Sequence, residues 1–204
     1  MTPEHGETVK LKICLVGDEG VGKTSLIRRF VLSDFSERYV RTVGVVVHKR
    51  VVIVPVDGAA HTGMMTVWDI LGRDDFAGRY KEAYLAGTAG VLAVCDLTRP
   101  QTLDGLAKWL DIVHRVAGDV PGIVLANKAD LEEHVHIDED ELLAFCELYR
   151  LPFLTTSAKT GENVEVAFGK LGEMAMREAL ARRILPPLRR MEGFPQLASS
   201  PGPQ

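Results

Sequence analysis

The sequence predicts a doubly wound α/β fold, with a mainly parallel six-stranded sheet, one antiparallel edge strand and helices on both faces. Three observations carry this. Short, continuous apolar runs recur along the chain, helical periods fall between them, and one pair of runs stands too close together to hold a helix. A continuous apolar block of strand length suits a strand covered on both faces, whereas a strand with one wet face would alternate. Strands of that kind alternating with helices build a parallel sheet.

The four blocks are "LKICLVG" at 11–17, "AGVLAVCDL" at 89–97, "GIVLAN" at 122–127 and "PFLTTS" at 152–157. Between them, Leu103, Leu106, Ala107, Leu110 and Val113 keep the spacing of one helix face, as do Val164, Ala167, Phe168, Leu171 and Ala175. The close pair is "VGVVVHKRVVIVPV" and "TGMMTVWDI", joined by the turn-rich "DGAAHTG". With no helix between them they predict a hairpin, which supplies the antiparallel edge. We divide the chain into a flexible N-terminus (1–9), one domain (10–184) and a flexible Pro-, Gly- and Ser-rich tail (185–204).

Composition narrows the function classes. A chain of 204 residues that is 46% hydrophobic can bury one full core. A net charge of −4 carries no global basic footprint, so no nucleic-acid partner is expected. Cys14, Cys95 and Cys146 each sit in an apolar stretch, without disulfide or zinc spacing, and read as core residues of a reducing compartment. The start "MTPEHGETVK" has no apolar signal core, and no apolar run approaches the ~20 residues of a membrane span. A cytoplasmic location is expected.

The first strand runs into "GDEGVGKT", which opens a helix "TSLIRRF". Strand, GxxxxGK[ST] and helix in that order are the context of a phosphate-binding loop. Its residues are Gly17, Asp18, Glu19, Gly20, Val21, Gly22, Lys23 and Thr24, followed by Ser25. Glycines let backbone N–H groups turn towards phosphate oxygens, and the helix N-terminus adds a favourable dipole. Lys23 is expected to bridge the terminal phosphates and the Thr24 hydroxyl to hold Mg²⁺.

"NKAD", Asn127 to Asp130 with Lys128 between them, lies at the carboxyl end of a predicted strand, where open α/β sheets bind ligands. A carboxylate at Asp130 can accept from both the N1 and N2 donors of guanine. Adenine has no such donor pair and would leave that carboxylate unpaired, which argues against an ATP-using kinase. After the next strand comes "TSAKT", where the backbone N–H groups of Ser157, Ala158 and Lys159 are placed to meet the guanine O6.

"GDEGVGKT", "RYVRTVG", "WDILG", "NKAD" and "SAK" stand in one order along residues ~10 to ~180, and in that combination the chain resembles a Ras-like small GTPase, most like the Rab branch. The resemblance implies the G-domain form of the P-loop NTPase fold, with GTP and GDP as ligands and Mg²⁺ as cofactor. It implies that Phe35 packs against the guanine, that Tyr39 lies over the phosphates, and that Thr42 binds Mg²⁺ and the γ-phosphate. Asp69 would hold the metal through water and Gly72 would offer its N–H to the γ-phosphate. Protein effectors, an exchange factor and a GTPase-activating protein are the partners it implies.

Two positions depart from the family pattern. Arg73 follows Gly72 where relatives usually carry a glutamine that orients the attacking water. An arginine has five donors and no acceptor, so it can supply charge to the transferring phosphoryl group but cannot orient the water. Glu19 stands where the family usually has a small residue, and a carboxylate beside a γ-phosphate must either point away or meet a cation. We expect a Glu19–Arg73 pair closing over the nucleotide, the alternative being that both side chains sit in solvent, and slow intrinsic hydrolysis in either case. The alternative is a nucleotide-loaded scaffold with negligible turnover.

"EEHVHIDEDE" at 132–141 reads as an acidic helix start, with a metal site as the lesser reading. Five arginines (Arg177, Arg182, Arg183, Arg189, Arg190) crowd the end of the last helix and the residues after it, with Glu178 the one acid among them. They are read as complementing the helix dipole, with weak membrane-surface contact as the alternative. The chain ends "SSPGPQ" without a prenylation cysteine, so no lipid anchor is expected.

Overall fold

A computed structural model describes residues 8–32, 40–42, 45–70 and 82–184. Seven strands form one sheet: β1 (Val9–Val16), β2 (Val40–Thr42), β3 (Val45–Val56), β4 (Ala59–Ile70), β5 (Gly90–Asp96), β6 (Gly122–Asn127) and β7 (Phe153–Thr156), in the order β2-β3-β4-β1-β5-β6-β7. The long helices among the described residues are α1 (Lys23–Leu32), α2 (Gln101–Ala117), α3 (Glu139–Tyr149) and α4 (Val164–Ile184). The six expected strands are present, and the three-residue β2 pairs antiparallel outside the hairpin strand β3. β3 and β4 are antiparallel, while β4, β5, β6 and β7 continue the sheet in parallel with β1.

The hairpin turn is tighter than "DGAAHTG" suggests, because only Asp57 and Gly58 lie between the strands and Ala59 to Gly63 already pair with β3. Both turn residues have positive φ, 50° at Asp57 and 81° at Gly58. That is the demand of a type I′ turn, whose twist matches that of the strands it joins, and Asp-Gly meets it. The residues that follow, Ala59 to Gly63, then pair at once with β3.

Each parallel strand splits its side chains between two cores. From β1, Leu11, Ile13 and Leu15 join Leu26, Ile27, Phe30, Phe168 and Leu171 on the α1/α4 face. Cys14 and Val16 join Cys95, Leu106, Leu110, Val113 and Leu142 on the α2/α3 face. This two-sided burial is why the strands read as unbroken apolar blocks. The α4 stripe is buried as expected; on α2 Ala107 is only half-buried, and Trp109, absent from the expected stripe, takes a core place. α3 begins with a capping box, in which the Asp138 carboxylate accepts from the Glu141 N–H at 2.8 Å and Glu141 accepts from the Asp138 N–H at 3.2 Å. The acidic helix start is therefore a cap, made by Asp138 and Glu141.

Going outward from β1, the chain turns to β4 on one side and to β5 on the other. The carboxyl end of β1 is thus a topological switch point, the place where an open α/β sheet leaves a crevice for a ligand. The phosphate loop begins there, and the ends of β4, β5, β6 and β7 bring Asp69, Asp96, Asn127 and Thr156 to the same edge.

Candidate functional site

The loop 17–24 is held against the sheet by two glycines that admit no side chain. At Gly17 (φ +134°) an added Cβ would lie 2.2 Å from the Val94 carbonyl oxygen, and at Gly22 (φ +105°) it would lie 2.2 Å from Asn127 Nδ2. Both positions need the freedom of glycine twice over, for backbone angle and for space. Lys23 is buried and curls back over the loop, its ammonium donating to the carbonyls of Gly17 at 2.6 Å and Asp18 at 2.7 Å. A cation so placed, beside a helix N-terminus, is suited to phosphate. The Asp18 carboxylate is turned away to α2, where Trp109 Nε1 donates to it at 3.2 Å.

Next to Lys23, the Thr24 hydroxyl donates to Asp69 Oδ2 at 2.5 Å. Asp69 is only 3% exposed, and its Oδ1 is buried without a hydrogen-bond partner among the described residues. A buried carboxylate oxygen with no donor carries a desolvation cost that a hard cation would remove. A hydroxyl and a carboxylate are also the oxygen donors Mg²⁺ selects, so Thr24 and Asp69 fit the metal the motif calls for.

Asn127 joins the glycine-rich loop to the loop that follows β7. Its Nδ2 donates to the Val21 carbonyl at 2.8 Å, and its Oδ1 accepts from Thr156 Oγ1 at 3.3 Å and from the Ala158 N–H at 3.2 Å. Asp130 faces the same loop, accepting from Ser157 Oγ at 2.6 Å with Lys159 Nζ 3.5 Å away. The Ser157 hydrogen bond is the main cause that holds the Asp130 carboxyl below its ordinary range. An anionic acceptor in a loop built this way can take a paired N–H donor set.

Lys128 (φ +71°) sends its ammonium to Asp96 Oδ2 at 2.6 Å. Asp96 is fully buried at the end of β5 and also accepts from Thr98 and from Arg99 Nε. Burial alone would raise its carboxyl, but the bonds from Lys128, Thr98 and Arg99 outweigh it and bring the pKa down to about 2. Asp96 and Arg99 carried no motif and were not among the sequence candidates. The available signal was a carboxylate ending an otherwise apolar strand, in "VCDL". Arg29, likewise not singled out, reaches from α1 to donate to the Thr160 carbonyl.

The structure thus gathers Lys23, Thr24, Asp69, Asn127, Lys128, Asp130, Ser157, Ala158 and Lys159 at one edge of the sheet. A family model for the Ras family matches residues 12–177. The chain belongs to the Ras family of small GTPases. This small GTPase is 34% identical over 185 residues to the Ras-related protein RABD2a of Arabidopsis thaliana, an alignment covering 90% of the chain and 85% of that relative. The expected Rab-like character agrees with that similarity.

Phe35, Tyr39, Gly72 and Arg73 lie outside the described residues of this GTPase, as does the expected Glu19–Arg73 pair. Thr42 is described by its backbone, which pairs with Val45 at the end of β2. At Glu19 a different arginine meets the loop, since Arg99 Nη2 donates to the Glu19 carbonyl at 3.1 Å. No helix among the described residues is long and apolar enough to cross a membrane.

Proposed function

We propose that this small GTPase is a cytoplasmic guanine-nucleotide switch that binds GTP and GDP with Mg²⁺ and hydrolyses GTP slowly. The observation that carries the reading is the position of Asn127, which ties the phosphate loop at Val21 to the guanine-reading loop at Ala158. Lys23 and the loop N–H groups hold the phosphates, Asp130 accepts from the guanine N1 and N2 donors, and the 157–159 backbone meets O6. Thr24, Asp69 and Thr42 hold the Mg²⁺, which neutralises charge on the phosphate oxygens when bound. Phe35 and Tyr39 cover the base and the phosphates.

Thr42 and Gly72 contact the γ-phosphate, so its loss releases both segments and turns nucleotide state into shape. Effectors, an exchange factor and an activating protein read that shape on the segments around 35–45 and 70–82. Glu19 and Arg73 set the rate, because an arginine supplies charge and does not orient water. These same two residues support a second reading, a nucleotide-loaded scaffold without turnover.

The test is single-turnover decay of bound GTP with Mg²⁺ in the wild type, Arg73→Gln and Arg73→Ala. Slow decay in the wild type that is lost in both variants supports a switch in which Arg73 supplies charge. No decay in the wild type, with decay restored by glutamine, supports the scaffold. A protein that retains no guanine nucleotide overturns both.

A further inference from the structure

We infer that Arg99 is a positioning residue for nucleotide retention, which holds the outer turn of the phosphate loop at Glu19–Gly20 and ties it through Asp96 to the base-side Lys128. The inference rests on the reading of this edge as a guanine-nucleotide site.

Arg99 is placed by three independent contacts before it reaches the loop. Its N–H donates to the Asp96 carbonyl at 2.8 Å, its own carbonyl accepts from Thr102 Oγ1 at 2.7 Å, and its Nε donates to Asp96 Oδ2 at 2.8 Å. With the backbone and the Nε edge of the guanidinium held, Nη2 projects to the Glu19 carbonyl at 3.1 Å. The group also packs against Gly20, where an added Cβ would meet Nη2 at 3.5 Å. Gly20 has a φ of +76°, a conformation open to many alternatives in a free chain.

The consequence is mechanical. A glycine-rich loop binds phosphate through N–H groups that must all point one way, and ordering it costs conformational entropy each time a nucleotide binds. A planar guanidinium with one edge on a buried carboxylate and another on the loop pre-pays part of that cost. Asp96 Oδ2 is shared with Lys128 at 2.6 Å, so the base-side loop and the outer turn of the phosphate loop lean on the same atom. A lysine at 99 has one flexible ammonium in place of the rigid fork whose Nε and Nη2 reach Asp96 and Glu19 from separate edges.

Release of a fluorescent GDP analogue from the full chain with Mg²⁺, together with competition by GMP, tests this in the wild type, Arg99→Ala and Arg99→Lys. Loss of the guanidinium's bonds to Asp96 and to the Glu19 carbonyl should speed GDP release at least roughly tenfold in Arg99→Ala, with Arg99→Lys close to it and GMP affinity within about twofold of wild type. GMP lacks the β-phosphate that the loop encloses, so a merely structural defect would weaken both ligands alike. Equal losses for GMP and GDP, or unchanged GDP release, overturn the role of Arg99. A wild type that holds no guanine nucleotide overturns instead the reading on which it rests.

Discussion

Asn127 donates to the carbonyl of Val21 at 2.8 Å, across 106 residues of chain, and so joins the glycine-rich loop after β1 to the carboxyl end of β6. Asn127→Ala removes this bond and leaves the Ala158 N–H and the Thr156 hydroxyl without their acceptor. Each lost bond at a buried site costs about 1–3 kcal/mol, so GDP affinity should fall at least about tenfold. Titration calorimetry with GDP reads this directly. Unchanged affinity would mean that the two loops are positioned independently.

Gly22→Ala attacks the same junction from the other side. Its Cβ would stand 2.2 Å from Asn127 Nδ2 at a φ of +105°, so either the loop or Asn127 must move. Strain of about 1–3 kcal/mol is expected from the backbone alone. Nucleotide retention should drop further than the melting temperature of the nucleotide-free protein does. A variant that keeps GDP through gel filtration as the wild type does would contradict the crowding at this position.

The unpartnered Asp69 Oδ1 predicts a dependence on divalent cation. Chelation with EDTA should accelerate GDP release from the wild type. Asp69→Ala should release GDP fast with or without EDTA, since the site has lost its carboxylate. An Asp69→Ala protein that still responds to chelation as the wild type does would place the metal elsewhere.

Asp96 predicts a specific acid limb in the stability profile. Its carboxyl is lowered from 3.8 to about 2, because the bonds from Lys128, Thr98 and Arg99 together exceed the upward effect of burial. A group with a depressed folded pKa contributes stability that is fully present above the unfolded value and is lost as pH falls through the folded one. Between pH 3.8 and 2 the wild type should therefore lose stability that Asp96→Asn, already weaker at neutral pH, does not lose. Urea unfolding across that range measures it, and parallel profiles for the two proteins would refute the role of Asp96.

The cysteines should be silent towards thiol reagents in the folded protein. All three are buried, and burial is the main cause that raises the Cys14 thiol and pushes Cys95 up to about 12 and Cys146 to about 11. Reaction requires the thiolate and access to it. Labelling should follow global unfolding in denaturant. A fast-labelling thiol under native conditions would show local opening of the α2/α3 face.

Much of this was legible because it is local. Burial on both faces makes β1, β5 and β6 continuous apolar blocks, the phosphate loop needs Gly17, Gly22, Lys23 and Thr24 in fixed order, and Asp57-Gly58 is a turn by its own sterics. The hairpin loop was read as too long because "AAHTG" resembles a turn by composition, yet its residues pair in register with β3. Trp109, three residues after Leu106 and four before Val113, belongs to the same α2 face by spacing, and its indole N–H adds a bond to Asp18, 91 residues earlier.

The sequence by itself determined the fold class and the order of strands and helices, and its motifs pointed to the family, since periodicity and motif spacing act over a few residues. Only the tertiary structure decided which loops support one another: Asn127 under Val21, Arg29 at Thr160, and Asp96 shared between Lys128 and the Arg99 that reaches Glu19. The contacts of Asn127 with Val21, of Arg99 with Glu19 and of Arg29 with Thr160 close over 80 to 131 residues. No local pattern encodes them, because their partners meet only where parallel strands bring their carboxyl ends to one edge of the sheet.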